Sequence, residues 1–143
     1  MNYMNEVSSF QIDDHWIIAQ RPAKNHVNPK RPYTYFLEKE RTSNGQVEDV
    51  ATLFLTNREC PFRCLMCDLW KNTTNCRVPD GAIPTQIQWA LDQLPAAQHI
   101  KLYNSGNFFD GQAIPTSDIP QIAGLLTAFK TVTVENHPRL VND

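Results

Sequence analysis

No stretch of this chain approaches the ~18 consecutive apolar residues that a membrane helix needs. Its opening, "MNYMNEVSSFQIDDHW", lacks a basic region followed by an apolar run, so no secretory signal is expected and the reading is cytoplasmic. There is no repeat of fixed period and no low-complexity tract. Charge of one sign is also missing: 13 Lys+Arg against 15 Asp+Glu leave a net −2, with no global pull toward nucleic acid or an anionic membrane. The remaining composition, 41% hydrophobic and 20% charged over 143 residues, is that of a globular domain with one core.

Cysteine is absent everywhere except residues 56–76, "TNRECPFRCLMCDLWKNTTNC", which holds all four. In a reducing compartment such clustering points to metal or cluster ligation rather than disulfides. Cys60, Cys64 and Cys67 follow the spacing C-x3-C-x2-C. Three thiolates on one short loop can hold three irons of a cubane cluster and leave the fourth iron open. An amino acid's amine and carboxylate can chelate that iron. A zinc site built from Cys60, Cys64, Cys67 and Cys76 is the alternative, since zinc favours four closed ligands. A third is clustering without a metal.

Around this loop the chain alternates strand and helix patterns. "PYTYFLEKE" reads as a strand, and Asn44-Gly45 in "TSNGQ" as a tight hairpin turn, because both positions tolerate positive φ. The return limb "VEDVATLFLTN" becomes continuously apolar at Val50–Leu55, as in a strand buried on both faces. "PTQIQWALDQL" has helical spacing of Ile87, Ala90, Leu91 and Leu94, with a capping box at Thr85-x-x-Gln88. "HIKLYNSGN" is a strand ending in turn residues. "SDIPQIAGLLTAF" is a helix with Ile119, Ile122, Leu126 and Phe129 on one face and Asp118 as its cap. "KTVTVEN" is a last strand.

This order predicts α/β architecture with parallel βαβ units. Chemistry in such sheets sits at the carboxyl ends of the strands. The cysteine loop, "NSGN" and "ENHPR" all fall on that rim. Residues 1–32 are expected to be an irregular N-terminal extension with prolines at 22, 29 and 32. Its basic stretch "RPAKNHVNPKRP" is either a solvated segment wrapping the domain or an arm facing RNA or phosphate. His15, His26 and His99 have no constellation around them.

"CPFRCLMC" directly after an apolar strand resembles the signature of the radical S-adenosylmethionine (SAM) superfamily. The runs "FLTNRECPFRCLMCDLWKNT", "KLYNSGNFFD" and "VENHPR" are similar to the branch of archaeosine biosynthesis in tRNA, related more distantly to the elongator catalytic subunit. The resemblance spans roughly residues 33–143. It implies that this part is the beginning of a partial (β/α) TIM barrel, preceded by a β-hairpin, with three barrel strands and two helices. The chain is accordingly expected to be an N-terminal fragment, inactive alone.

The resemblance further implies an enzyme. Cys60, Cys64 and Cys67 ligate a 4Fe–4S cluster, with SAM on the unique iron, for reductive SAM cleavage and substrate hydrogen abstraction. Met66 stands where an aromatic residue usually packs near the adenine. Asn104, Ser105 and Gly106 lie where a glycine-rich stretch holds the methionine amine, although no acid follows until Asp110. Glu135 is placed near the ribose or the amine and pairs with Arg139, while His137 replaces an arginine. The implied partners are SAM, an electron donor such as flavodoxin or ferredoxin, and a tRNA or modified nucleoside. Cys76 has no place in the motif and is expected to be a free, partly buried thiol, with Trp70 packing under the loop.

Overall fold

A computed structural model of the protein describes residues 11–141. Residues 1–10 and 142–143, the ends of the expected extension and core, lie outside it. Strand β1 (Thr34–Arg41) and strand β2 (Val47–Phe54) form the expected antiparallel hairpin, with Thr34 opposite Phe54 and Arg41 opposite Val47. The turn differs from the expected one. Only Gly45 takes positive φ (81°); Asn44 does not, and its side-chain oxygen instead accepts from the Gln46 amide at 3.1 Å. The Thr42 amide donates to the Gln46 carbonyl at 2.8 Å. Three residues with glycine in the left-handed position therefore make the connection, in place of a two-residue turn.

Strand β3 (His99–Tyr103) adds parallel to β2, and β4 (Thr131–Val134) parallel to β3, giving the order β1-β2-β3-β4. Helix α2 (Ala82–Gln93) crosses from β2 to β3, and α3 (Ile119–Leu126) from β3 to β4. The protein is thus α/β with a four-stranded mixed sheet. Both helices cover the same face, where Leu53, Leu55, Ile100 and Leu102 of the sheet meet Ile83, Ile87, Ile122 and Leu126. Full burial of each such side chain contributes about 1.5–3 kcal/mol.

Among the described residues the opposite face carries no helix and presents polar and aromatic side chains. Thr52 donates to Glu38 at 2.6 Å, Lys101 pairs with Glu40 and with Glu38 (3.5 Å), and Phe54 packs on Tyr103 with ring centroids 5.2 Å apart. The Glu40 partner holds the Lys101 ammonium above its ordinary pKa. At the amino ends of the strands, His99 bridges Glu48 Oε2 and Thr131 Oγ1, each at 2.7 Å.

Helix ends depart from the sequence reading. α2 starts at Ala82 behind Gly81 (φ 85°); the Thr85 hydroxyl donates to the Gly81 carbonyl and Gln88 bonds Asp92, so there is no capping box. Asp118 does not cap its own helix. It ends a 3₁₀ turn (Thr116–Asp118), is buried, and accepts from the Gly81 amide at 2.7 Å, so it serves the start of α2 instead. Over its described residues, 11–32, the extension is irregular except for helix α1 (Asp14–Gln20), whose cap Asp13 accepts from the Trp16 amide at 2.9 Å. Among the described residues no helix is long and apolar enough to cross a membrane.

Candidate functional site

The loops that leave β2, β3 and β4 are hydrogen-bonded into one rim. Asn57, fully buried just past β2, donates through Nδ2 to the Ser105 carbonyl (2.8 Å) and accepts the Ser105 amide on Oδ1 (3.1 Å). The Asn107 side chain accepts from the His137 amide at 2.8 Å, and the Phe108 amide donates to the Glu135 carbonyl at 3.0 Å. Carboxyl ends of three adjacent parallel strands thereby share one surface.

Cys60 is the most firmly seated of the four thiols. Its amide donates to Ser105 Oγ at 3.3 Å, and its carbonyl accepts from Arg63 Nη1 at 2.6 Å. Gly106 has φ 85°, and a Cβ built there would stand 3.4 Å from both Cβ and Sγ of Cys60. Glycine lets the β3 loop close directly onto the cysteine. Burial pushes the Cys60 thiol up, and the charges of Cys64 and Cys67 push it further, partly offset by a Phe62 backbone hydrogen bond and Arg63. Burial also pushes the Tyr33 phenol up to about 12, with Asp68 and Cys67 adding to the effect.

All four cysteines are free thiols; Cys64 is exposed, Cys60 and Cys67 are half-buried. Cys76 is exposed rather than partly buried as expected. Trp70 is buried under the loop and donates Nε1–H to the Cys67 carbonyl at 3.1 Å. Among the described residues, no three His, Cys, Asp or Glu side chains are gathered so as to hold a metal ion. The donor chemistry nevertheless suits a thiophilic cluster. Thiolates brought to one centre repel one another, and a cationic centre removes that repulsion. Cys60 is fixed, and the exposed Cys64 belongs to a turn closed by the Cys67 amide on the Cys64 carbonyl (3.2 Å).

Beside Cys60 lies a cavity of about 330 Å³, lined in part by Arg58, Arg63, Ser105, Gly106 and Asp110. Asn104 is buried next to it in sequence, donates to the Ser105 carbonyl at 3.0 Å, and keeps Oδ1 without a hydrogen-bond partner. Ser105 is buried. Met66 points outward, 88% exposed on the loop. Glu135 is exposed at the end of β4, and among the described residues no ion pair joins it to Arg139, whose amide bonds His137 Nδ1. Cys60, Ser105 and Gly106 are thus brought together; Met66 lines a separate hollow with Arg21, Asp68 and Trp70, and neither it nor Glu135 lines the cavity beside Cys60.

The sequence reading missed several residues that build the rim. Gln86, fully buried on α2, accepts the Thr56 amide (2.8 Å) and donates to the Thr56 and Pro29 carbonyls (2.7 and 2.8 Å). Glu59 binds Arg21, Lys24 and Arg63. Hydrogen bonding over 30 or more positions leaves no local pattern to read. Compared with known proteins, the chain matches no family model, no curated protein and no solved structure.

Proposed function

We propose that this chain is the core of a radical SAM enzyme, in which Cys60, Cys64 and Cys67 hold a 4Fe–4S cluster and the rim beside them takes SAM. The observation that carries the reading is the placement of the C-x3-C-x2-C loop. It leaves the carboxyl end of the first parallel strand, and the next strand's loop seats Cys60 through Ser105 and Gly106. The one-sided helical layer, with a polar and aromatic opposite face, supports a sheet curved as part of a β/α barrel.

Bound there, a 4Fe–4S cluster held by Cys60, Cys64 and Cys67 together with SAM would supply radical hydrogen-abstraction chemistry, which belongs to the cofactor. The protein's part is to bind and orient. Ser105 and Arg63 fix the Cys60 backbone on both sides, which sets the direction of its sulfur. Ser105 and Gly106, which line the cavity beside Cys60, would meet the methionine amine, while Asn104 Oδ1 is buried outside that lining. The cavity of about 330 Å³ beside Cys60 is of the size of a small-molecule site. Met66 would lie against the adenine, where a polarizable thioether replaces a ring. Glu135 would accept from the ribose hydroxyls. A flavodoxin or ferredoxin would supply the electron, and a tRNA or modified nucleoside is the substrate class to assay first.

Anaerobic iron and sulfide reconstitution, followed by iron, sulfide and zinc analysis and a visible spectrum, tests the reading. About four irons and four sulfides per chain, with a visible band that SAM perturbs, is the expected result. One zinc per chain and no colour would sink it in favour of a structural clip made by all four cysteines.

A further inference from the structure

The segment that follows α1 is a strap across the cysteine loop. Arg21 Nη1 lies 2.9 Å from Glu59 Oε1, and Lys24 Nζ lies 2.6 Å from Glu59 Oε2. Glu59 immediately precedes Cys60 and also pairs with Arg63 at 3.2 Å, whose guanidinium in turn holds the Cys60 carbonyl. On the far limb of the loop, the Arg21 guanidinium sits 4.7 Å from the centre of the Trp70 ring, and Trp70 holds the Cys67 carbonyl. The Asn25 amide donates to the Lys71 carbonyl at 2.8 Å, Asn25 Nδ2 to Asn72 at 2.9 Å, and Lys24 Nζ to Asn75 at 2.9 Å. The strap therefore grips the loop before its first ligand and after its last.

The ion pairs are half-sheltered. Side-chain exposure is 12% for Arg21, 24% for Lys24 and Arg63, and 19% for Glu59. Partly buried pairs are screened less than surface ones, and an anion shared by three cations in a fixed geometry resists rearrangement. Burial raises the Glu59 carboxyl, but its hydrogen bond to Lys24 and the charges of Lys24, Arg63 and Arg21 outweigh that and hold it below the ordinary carboxylate value.

We propose that residues 21–25 act as a clasp on the ligand loop, with Glu59 as its hub. Arg21, Lys24 and Glu59 are then positioning residues that hold the backbone on either side of Cys60 and Cys67. What the clasp is for rests on the radical SAM reading; that it exists does not. A loop whose middle ligand, Cys64, is exposed would otherwise fray at both ends. The clasp confines the adjustment on loading to the Cys64 turn.

The test is iodoacetamide labelling of the metal-free full chain, scored cysteine by cysteine by peptide mass spectrometry. Cys76, already exposed, is the internal standard. Arg21→Met and Lys24→Met are each expected to raise Cys60 labelling several-fold relative to Cys76, and Glu59→Asp to raise it less than Glu59→Gln. The sign separates positioning from simple electrostatics. Removing a cation lowers the thiolate fraction and slows alkylation, whereas loosening the clasp speeds it. Unchanged or slower Cys60 labelling in both cation variants overturns the proposal. Lys24→Met removes the ties to Glu59 and Asn75 but leaves Arg21 and Arg63 on Glu59, so it decides the matter even where Glu59→Gln fails to fold.

Reconstituted samples provide the second readout: iron in Lys24→Met is expected to pass to a chelator several-fold faster than in the parent. Faster Cys60 labelling in a chain that takes up no iron refutes the cluster while leaving the clasp standing. Unchanged labelling with full iron loading does the reverse.

Discussion

Gly106 stands against Cys60 with no room for a side chain that would not touch the sulfur: the nearest approach of an added Cβ is 3.4 Å, at a backbone φ of 85°. The penalty at this position is conformational, while an added Cβ would rest in ordinary contact against Cys60. Gly106→Ala is expected to cost about 1–2 kcal/mol of folding stability from the left-handed backbone alone. It should also lower iron uptake beyond what that loss explains. Urea denaturation of the metal-free protein and iron analysis of the reconstituted one measure the two effects apart.

The cysteines divide three to one. Cys64→Ala is expected to abolish cluster binding, although Cys64 is exposed and its removal should barely change stability. Cys76→Ala should leave iron content as in the parent. Equal loss of metal in both variants would favour a four-cysteine zinc site.

Gln86 carries three hydrogen bonds to backbone groups, with no exposure to water. Gln86→Leu keeps the volume and leaves the Thr56 amide and two carbonyls without their partner. Each buried polar group so orphaned costs about 1–3 kcal/mol. A loss of at least about 2 kcal/mol by urea denaturation is therefore expected, and a loss below about 1 kcal/mol would show that water replaces the side chain.

Glu48 gives a pH dependence whose sign is fixed. Hydrogen bonds from Lys130 and then His99 hold its carboxyl below the ordinary value. A carboxyl depressed in the folded state adds stability that is present above its unfolded pKa and lost as pH falls through the folded one. Stability should decline on acidification from about pH 6 to about pH 3, with less of a decline in Glu48→Gln. Identical pH profiles for the two proteins would remove Glu48 from the account.

Periodicity carried the reading of the sheet and helices well, because it reports burial directly. Ile87, Ala90, Ile122 and Leu126 are buried where their spacing places them, and Val50–Leu53 is a run buried on both faces. Helix ends were less legible. Thr85 and Gln88 satisfy the local rule for a cap, yet Asp118, 37 positions away from Gly81, supplies the bond. The same holds at the rim. The cysteine spacing is visible in the sequence, but the basic stretch 21–32 reads as a solvated wrap or an arm for RNA. Arg21 and Lys24 are instead paired with Glu59, and Arg31 lies 4.8 Å over the Trp89 ring. His99 looked isolated because its partners, Glu48 and Thr131, lie 51 and 32 residues away.

The strand order follows the chain order, so the sheet can grow by accretion as the polypeptide emerges, each βα unit adding to a finished edge. Cys60 is an exception to that orderly growth. Its left side is secured by residues 21–25, which emerge before it, and its right side by Ser105 and Gly106, which emerge about forty-five residues after it. Between those two moments the thiol is held from one side only, with neither the serine hydroxyl on its amide nor the glycine against its sulfur. The full seating of Cys60 is thereby timed to the completion of β3, after all four cysteines have been synthesised.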